Sequence, residues 1–376
     1  MRRTLHSEPG GDTTQILRTA EAIRARGVTV DISDDARPDP RGYDLAHLFH
    51  LDRLWENTPH VERLTAAGCP FVLSPIWWPS AEFDRAARAG VQGWLARTVG
   101  SRLYASLRLV QRTAAHVVAT RSLAAASTRM LNFWSAARAL LQAASVILPN
   151  SDAERAQIES HFGVKRPCTV VPNAADATLF RLPDEPSTRV GVLSVGRIEP
   201  RKNQLALIVA LRNSDIPLTL VGAAGRYSTP YAEKCRAIAG PNTRFLPARP
   251  AEELAPLYHR ALIHACTSWY ETPGLVNLEA ALCGCAIVAT AGGCTREYLG
   301  SDAEYADPGE PGSIRVAIQA AMRRGPAPGL AARIRDEYSW ENAAKRTLGA
   351  YSAALAHGPT ETSSPAPAAP SLQSSV

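Results

Sequence analysis

The chain has 376 residues, of which 45% are hydrophobic and 20% are charged, a balance typical of a globular protein of about two domains and unlike a disordered or fibrous one. No apolar run approaches the ~18 residues that a membrane-spanning helix requires, so an integral membrane protein is not expected. The net charge of +6 is unevenly distributed, because residues 85–151 contain nine arginines and no lysine, aspartate or glutamate.

The first half of the chain alternates strand-like and helix-like segments. Helical periodicity covers 13–26 and most of 80–144, and Ser151-Asp-Ala-Glu154 is a capping box that predicts a further helix start. Strands are predicted from short apolar runs at Gly27–Ile32, Tyr43–Phe49, Pro70–Ser74, Ser145–Leu148 and Thr169–Val171.

The second half repeats this rhythm after a segment at 181–188, whose two prolines and mixed charge predict a linker. Strands are predicted at Val190–Val195, Leu218–Val221, Thr243–Leu246, Leu262–Cys266 and Ala286–Ala289, with helices of about ten residues between them. Such alternation is typical of parallel sheets joined by right-handed crossovers. The predicted fold class is therefore α/β, with two doubly wound domains facing each other across a cleft.

We expect domains at 1–183 and 184–340, followed by a closing helix at 341–356. Residues 357–376 are rich in Ser, Pro, Ala and Thr, which predicts a disordered tail. The chain starts with basic residues but no apolar segment, and its seven cysteines lack disulfide or zinc-ligand spacing. These features predict a cytoplasmic protein.

A cationic segment led by a glycine follows the predicted strand at Val190–Val195. Its sequence is Gly196-Arg-Ile-Glu-Pro-Arg-Lys-Asn203, and a helix is predicted to begin near Asn203. Doubly wound sheets bind ligands beyond the carboxyl ends of their strands, where side-chain cations and free helix N–H groups attract anions. Arg197 and Lys202 are therefore candidates for a phosphate site. The alternative is a solvated basic turn.

Two glutamates flank a glycine after the predicted strand at Leu262–Cys266. Gly274 allows close approach of the backbone to a ligand, and the helix that begins there turns its free N–H groups toward an anion. Glu271 and Glu279 are candidates to accept hydrogen bonds from sugar or ribose hydroxyls. The alternative is that Glu271 only favours the helix dipole and that Glu279 is a solvated helix residue.

Together these segments resemble the retaining glycosyltransferases of family 4, which have the GT-B fold of two Rossmann-like domains. The shared pattern is Gly196-Arg197 with Lys202-Asn203, then Glu271 and Glu279 ahead of Ala280-Ala-Leu-Cys-Gly-Cys-Ala-Ile-Val-Ala-Thr290. Further matches are Ile147-Leu-Pro-Asn-Ser151, Val170-Val-Pro-Asn-Ala-Ala-Asp176 before Phe180, Gly292-Gly293 with Glu297, and Tyr338-Ser-Trp340. The resemblance covers nearly all of residues 8–355 and implies a C-terminal helix that crosses back to the first domain.

The resemblance implies an enzyme that moves a sugar from a nucleotide-diphosphate sugar of UDP or GDP type to an acceptor, with retention of anomeric configuration and without a metal or other cofactor. The acceptor would be a glycan or a lipid-linked molecule in polysaccharide or glycolipid biosynthesis. Arg197 and Lys202 would hold the donor diphosphate, and Glu271 would lie beside the donor sugar as the third catalytic candidate. Glu279 would bind the ribose. The other donor-binding candidates are Gly11, Gly196, Gly274, Leu275 and Val276.

The first domain departs from the family pattern near the expected reacting centre. Many relatives carry a histidine just after the strand that corresponds to Pro70–Ser74, whereas this chain continues with Pro75-Ile-Trp-Trp78. His47, with His50 as a second choice, and Trp77 are therefore the candidates on the acceptor side. Trp77 offers an indole ring that can stack on a sugar. A role in the core or at the rim is the alternative for each residue.

Simple features distinguish a glycosyltransferase from other classes of protein. The chain lacks a G-x-G-x-x-G segment, which argues against a nicotinamide or flavin enzyme. A sugar-nucleotide epimerase shares the GT-B architecture but needs no acceptor, and an inactive relative would act as a binding or scaffold subunit. Nucleic-acid binding is not expected, because the basic segment at 85–151 lacks a recognisable nucleic-acid-binding module.

The acid-free segment 85–151 has two interpretations. Apolar residues recur there at helical spacing with arginines on the opposite side. The apolar residues are Val99, Leu103, Leu107 and Val110, and the arginines are Arg97, Arg108 and Arg112. The stripe either packs onto the sheet of the first domain, or it lies on an anionic membrane surface at the inner face of the cytoplasmic membrane, near a membrane-borne acceptor.

Overall fold

The computed structural model of the chain contains two parallel β-sheets that are flanked by helices. It describes residues 5, 10–35, 37–88, 90–121, 123, 128–185, 188–225 and 227–357. The predicted α/β class is confirmed, while the exact domain boundaries stay a prediction. Apart from His357, the tail predicted at 357–376 lies outside the described residues.

The first sheet is built from the residues before the predicted linker. Its strands are β1 (Ala46–Phe49), β2 (Phe71–Ser74) and β3 (Val146–Ile147), paired in that order. The helices are α1 (Gly11–Arg24), α2 (Leu54–Ala66), α3 (Ala81–Ala86), α4 (Gly90–Thr98), α5 (Ser101–Thr120), α6 (Phe133–Ala143) and α7 (Asp152–Phe162), with a 3₁₀ turn at Thr128–Leu131. Every residue of β2 is buried, as expected for a central strand covered on both faces.

The second sheet is built from the residues after the linker. Its strands are β4 (Val190–Val195), β5 (Leu218–Val221), β6 (Thr243–Leu246), β7 (Ala261–Cys266), β8 (Ala286–Thr290) and β9 (Glu304–Ala306), in the order β6-β5-β4-β7-β8-β9. The helices are α8 (Gln204–Leu211), α9 (Thr229–Ile238), α10 (Ala251–Arg260), α11 (Leu275–Leu282), α12 (Thr295–Leu299), α13 (Pro311–Arg324), α14 (Leu330–Glu337) and α15 (Trp340–His357). The strand order reverses direction at β4 and β7, so the loops that follow these two strands lie at the switch point where such sheets bind ligands.

Two predicted strands are absent from the structure, and one observed strand was not predicted. The predicted strand at Gly27–Ile32 is wrong: these residues form a turn and irregular backbone, and Val28 is 37% exposed, so the run buries too little apolar surface to join the sheet. The predicted strand at Thr169–Val171 is also wrong, although Cys168 forms a single bridge with Ile147. Strand β9 was missed, because it is short and begins with a charged residue.

The helical span at 80–144 is interrupted by Gly100. This glycine has φ 78° and ends the run between α4 and α5, so Val99 and Leu103 do not lie on one continuous helix. On α5 the apolar stripe is exposed instead of packed on the sheet, with Leu103 at 53% and Leu107 at 43%. In the described part of the chain no helix has both the length and the apolar character needed to cross a bilayer.

Helix α15 returns from the second sheet to the first. Its Ala343, Ala350 and Ala354 are buried in a cluster with Val72 of β2 and Val146 of β3. This contact is the crossover that the family resemblance implied, and it covers the face of the first sheet opposite α2 and α6.

Hydrogen bonds form a second contact between the two domains, from α12 to the N-terminus of α7. The Glu297 carboxylate accepts hydrogen bonds from Asp152 N and Ala153 N, both at 2.9 Å. Ser151 caps α7 by accepting from Glu154 N, as the capping box predicts. The Glu154 side chain, however, does not turn back to Ser151, because it accepts from Asn150 N and Trp77 N at 2.7 Å. These contacts fix the two sheets on either side of one cleft.

Candidate functional site

The first part of the site is the turn between β4 and α8. Gly196 follows β4 with φ 148°, and Asn203 adopts the left-handed conformation, φ 58°, just before α8. A Cβ at Gly196 would lie 3.7 Å from Lys202 Cε, so the glycine leaves room for the lysine to cover the strand end. The Arg197 side chain is 44% exposed, with Nε 3.6 Å from Glu199 Oε2. Arg197 is therefore a cation that an arriving anion can reach directly.

Lys202 and Glu271 form a buried ion pair at the centre of the site. Lys202 Nζ lies 2.5 Å from Glu271 Oε1, and the two side chains are 16% and 8% exposed. Ser268 Oγ donates to the same carboxylate oxygen, and an Arg201 guanidinium nitrogen lies 3.6 Å from the other oxygen. The structure thus brings together two sequence candidates that come from different strand ends.

The surrounding cations keep Glu271 ionised. Burial alone would raise the pKa of its carboxyl, but Lys202 and Arg201 outweigh burial and lower the pKa to about 2. Burial would lower the pKa of Arg201, but Glu271 and Glu199 raise it above the usual range. Arg201 and Ser268 were missed by sequence reasoning, because spacing alone does not say which cation or hydroxyl of a turn faces inward.

Helix α11 begins directly against this pair. Its N-cap, Gly274, has φ 85°, and a Cβ there would lie 3.3 Å from Glu271 Cβ, so the position favours glycine. The N–H groups of Leu275 and Val276 belong to the first turn, which has no intrahelical acceptors. Asn277 Nδ2 is buried without a hydrogen-bond partner among the described residues. The predicted candidates Gly274, Leu275 and Val276 therefore present a set of donors of the kind that binds anions.

The loops after β7 and β8 hold Glu271 in place. Glu271 N donates to Gly292 O at 3.2 Å, and Cys294 N donates to Glu271 O at 2.8 Å. A Cβ at Gly293 would lie 2.0 Å from Glu271 O, so this close approach requires glycine. The glycine pair of the sequence pattern thus positions the carboxylate.

Glu279 lies on α11, where it accepts a hydrogen bond from Tyr258 Oη at 3.1 Å. Burial raises the pKa of its carboxyl to about 7, although the hydrogen bond from Tyr258 acts in the opposite direction. Glu279 therefore titrates near neutral pH, unlike Glu271.

The first domain contributes the start of α1 to the cleft. A Cβ at Gly11 would lie 3.7 Å from Leu275 Cδ1, so the predicted glycine loop does meet the N-terminus of α11. Asp12 Oδ2 lies 3.1 Å from His50 Nε2. His50 has φ 70°, a strained backbone conformation of the kind that collects at functional sites. His50, which the sequence ranked second, directly follows β1 and is the histidine that contacts the start of α1.

The other first-domain candidates occupy different surroundings. His47 is bonded at both ring nitrogens, to Tyr351 Oη and to Ser74 Oγ at 2.9 Å, and burial lowers its pKa to about 3. The structure therefore places His47 between β2 and α15 and not on the acceptor side. Trp77 is 6% exposed and packs edge-on against Phe162, yet it also lines the cleft described next.

A cavity of about 470 Å³ opens between the domains beside Glu271. On the second-domain side it is lined by Tyr270 and Thr272, the two neighbours of Glu271 in sequence. The first-domain wall includes Trp55, Trp77, Trp78, Trp134, Asp52, Asp84, Arg102, Arg108 and Arg112. The cavity thus borders the chain segment that carries Glu271, although Glu271 itself does not line it.

Part of the chain is similar in sequence to known proteins. Residues 178–336 match the family described as glycosyl transferases group 1. A D-inositol 3-phosphate glycosyltransferase from Geodermatophilus obscurus is 31% identical over 236 residues, which cover 55% of this chain and 52% of that protein. The chain thus spans about half the length of this curated relative.

Solved structures show the same fold. Sucrose-phosphate synthase from Thermosynechococcus elongatus superimposes with a TM-score of 0.70 at 17% identity, covering 93% of this chain and 94% of that one. HepE from Anabaena, in complex with UDP and glucose, superimposes with a TM-score of 0.55 at 18% identity, covering 82% and 99%. The fold is therefore GT-B, as the sequence resemblance implied.

Proposed function

We propose that the chain is an enzyme that transfers a sugar from a nucleotide-diphosphate sugar to an acceptor, with retention of anomeric configuration. The match of residues 178–336 to the family described as glycosyl transferases group 1 supports this proposal. The observation that carries this proposal is the convergence of Lys202, Arg201 and the N-terminus of α11 on the ionised Glu271. Arg197 is exposed in the same turn after β4. Diphosphate needs several donors aimed at one place, and these elements supply them from two strand ends.

The proposed chemistry follows from the charges. Lys202 uses one of its three donors on Glu271, and the other two, with the Arg197 guanidinium, bind the diphosphate. As the bond from the anomeric carbon to the diphosphate oxygen breaks, these cations stabilise the charge that develops on the leaving group. An acceptor hydroxyl attacks the anomeric carbon from the same face, and its proton passes to the departing phosphate oxygen.

The donor-binding part of the proposal assigns Glu279 to the ribose and Gly11 to the loop that closes over the donor. A UDP- or GDP-type donor is proposed, and UDP and glucose in the HepE complex support the former. Within the described residues no group of three or more His, Cys, Asp or Glu side chains is placed to hold a metal ion. Metal independence remains a prediction from the resemblance, which activity in the presence of EDTA would test.

A thermal-shift panel of nucleoside diphosphates tests donor binding. A ligand at 100 times its Kd stabilises a protein by about 2.7 kcal/mol, so UDP or GDP is expected to raise the Tm. Arg197→Ala is expected to lose most of this rise. Lys234→Ala is the matched control, because Lys234 is exposed on α9, remote from β4 in sequence. If no nucleoside diphosphate raises the Tm at millimolar concentration, the donor site is wrongly assigned.

We also propose that the acceptor is a glycan or lipid-linked molecule and that α5 lies on the inner face of the cytoplasmic membrane. The exposed stripe of Leu103, Leu107 and Val110 supports this proposal, with exposures of 53%, 43% and 39%. Arg108 and Arg112 line the interdomain cavity, so these two arginines do not extend the exposed apolar stripe as a basic face toward the membrane.

Vesicle co-sedimentation tests the membrane contact. The wild type is expected to sediment with vesicles that contain phosphatidylglycerol, and Leu103→Gln/Leu107→Gln is expected to stay in the supernatant. Val316→Gln is the control, since Val316 is 63% exposed on α13 of the second domain. Equal sedimentation of all three proteins would contradict a role for α5.

An epimerase of the same fold and an inactive binding subunit are separated by acceptor dependence. A transferase releases nucleoside diphosphate faster when acceptor is added and leaves a new glycosidic bond. An epimerase converts its nucleotide sugar without acceptor, and a scaffold subunit turns over neither.

A further inference from the structure

The cavity beside Glu271 has an excess of positive charge on its first-domain wall. Arg102, Arg108 and Arg112 all line it from α5. Asp84, the buried acid of this wall, is already shared, since Arg88 Nε lies 2.6 Å from one oxygen and Arg108 lies 3.8 Å from the other. Only Asp52, which is exposed, remains to balance the other arginines.

Arg112 is one of the cations of this wall that have no direct carboxylate partner in the described part of the chain. Its guanidinium lies over the Trp55 ring, 5.3 Å from the centroid, and among the described residues it has no carboxylate oxygen within 4 Å. Enclosure of the guanidinium and the neighbouring Arg108 lower the pKa of Arg112, whereas Asp52 acts to raise it, and the residue as a whole is exposed. Arg108 and Arg112 thus place two like charges on one wall of the cavity, an arrangement that a bound anion would stabilise.

Aromatic rings line the remainder of the first-domain wall. The Arg102 guanidinium lies 5.0 Å from the centroid of the Trp134 ring, and Trp134 and Trp78 are each only partly buried. Indole rings offer flat apolar surfaces on which the C–H face of a sugar packs. The wall thus combines a planar apolar surface with guanidinium groups suited to bidentate binding of phosphate or carboxylate.

We propose that this cavity binds the acceptor and that the acceptor carries an anionic group, a phosphate or a carboxylate, held by Arg112 and Arg108. This inference rests on the proposed transferase function, since it takes the sugar donor to lie at Lys202 and Glu271. Tyr270 and Thr272 line the same cavity, so an acceptor held on α5 lies within reach of the donor sugar. Arg108 and Arg112 are binding residues in this assignment, and Arg197 and Lys202 remain with the donor.

Thermal shifts with saturating UDP separate the two sites, because UDP occupies the donor cations. The probes are inorganic phosphate, hexose 6-phosphates, inositol phosphate, geranyl phosphate and glucuronate, each carbon compound paired with its neutral parent. At least one anionic probe is expected to raise the Tm of the UDP-bound protein above the rise given by its parent. A rise with geranyl phosphate alone would identify a lipid-linked source for the anion, and a rise with the sugar phosphates a soluble one.

Variants of single arginines test whether the anionic probe binds at Arg112. Arg112→Gln is expected to weaken binding of the anionic probe about tenfold or more while leaving the UDP shift unchanged, since a charge-assisted hydrogen bond is lost. Arg112→Lys is expected to keep part of the affinity because it keeps the charge. Arg138→Gln is the control, as Arg138 is exposed on α6 and does not line the cavity. The unchanged UDP shift shows that each variant is folded.

Two outcomes would overturn the inference. One is that anionic probes shift the Tm no more than their neutral parents while UDP still stabilises the protein. The other is that Arg112→Gln retains the full response. Failure of both UDP and GDP to shift the Tm is a different result and refutes the donor site; where GDP alone shifts the Tm, GDP replaces UDP in these measurements.

Discussion

Replacing Lys202 by alanine tests the electrostatic core of the site. The fall of the Glu271 pKa from 4.5 to about 2 corresponds to about 3 kcal/mol in favour of the ionised carboxyl. Lys202 is the largest contributor to that fall, ahead of Arg201. Because Arg201 and Ser268 remain, we expect Lys202→Ala to lower the free energy of unfolding at pH 7 by roughly 2 kcal/mol, less than the 3–5 kcal/mol typical of a broken buried pair.

The pH dependence of this loss has a definite sign. Glu271 has a depressed pKa in the folded state, so its contribution to stability is present above pH 4.5 and is lost as the pH falls toward 2. The difference between wild type and Lys202→Ala is therefore expected to be full at pH 6–7 and to shrink below about pH 4.5. Urea denaturation at a series of pH values measures it.

A double-mutant cycle with Glu271→Gln isolates the pair. Adding Glu271→Gln to Lys202→Ala removes the buried charge that has lost its nearest cation and is expected to recover part of the lost stability. Lys234→Ala, at an exposed lysine, is expected to change stability by less than about 0.5 kcal/mol. A Lys202→Ala protein as stable as Lys234→Ala at every pH would refute the reasoning.

Three further predictions concern the walls of the site. Gly293→Ala should destabilise the protein more than Gly300→Ala in urea denaturation. Both glycines have positive φ, but a Cβ at Gly293 would lie 2.0 Å from the Glu271 backbone oxygen, whereas one at Gly300 would lie 3.8 Å from Arg333 Nη2. Equal losses of stability would contradict the close approach at Gly293. Burial raises the pKa of Glu279 to about 7, so its contribution to stability is greatest below pH 4.5 and is lost as the pH rises through 7. UDP affinity should increase over the same pH range, because the carboxylate forms. Glu279→Gln should flatten the pH dependence of both stability and UDP affinity, as measured by calorimetry. Tyr298→Phe removes a buried hydroxyl that donates to Asn150 O at 2.6 Å and should cost about 1–3 kcal/mol in thermal unfolding, a loss absent from Tyr227→Phe at an 86% exposed tyrosine.

Local pattern predicted the second sheet well. The strands at Val190–Val195, Leu218–Val221 and Thr243–Leu246 agree with the structure at both ends, because each is a short apolar run closed by polar turn residues. The first sheet was harder. The run at Gly27–Ile32 has the same composition, but nothing in one sequence shows that tertiary packing leaves it half-exposed.

The donor-side candidates were predictable because a motif fixes them to strand ends. Lys202 and Glu271 follow β4 and β7, and neighbouring parallel strands bring their carboxyl ends together. The first-domain side was not predictable in this way. His47 and His50 are three residues apart at the end of β1, and only the backbone turn at His50 decides which ring faces the cleft. The inward turn of Arg112 likewise depends on how α5 packs, which helical spacing alone does not determine.

Release of nucleoside diphosphate from a nucleotide sugar tests the central claim most directly. Purified protein would be incubated with UDP- and GDP-sugars, with and without the panel of anionic acceptors, and the released UDP or GDP measured. We predict release that depends on acceptor and falls about 100- to 1000-fold in Lys202→Ala and in Arg197→Ala, because each removes a donor that stabilises the leaving diphosphate. Equal release by wild type and Lys202→Ala, or conversion of the nucleotide sugar to an epimer without release, would contradict the assignment of a glycosyltransferase site at Arg197, Lys202 and Glu271.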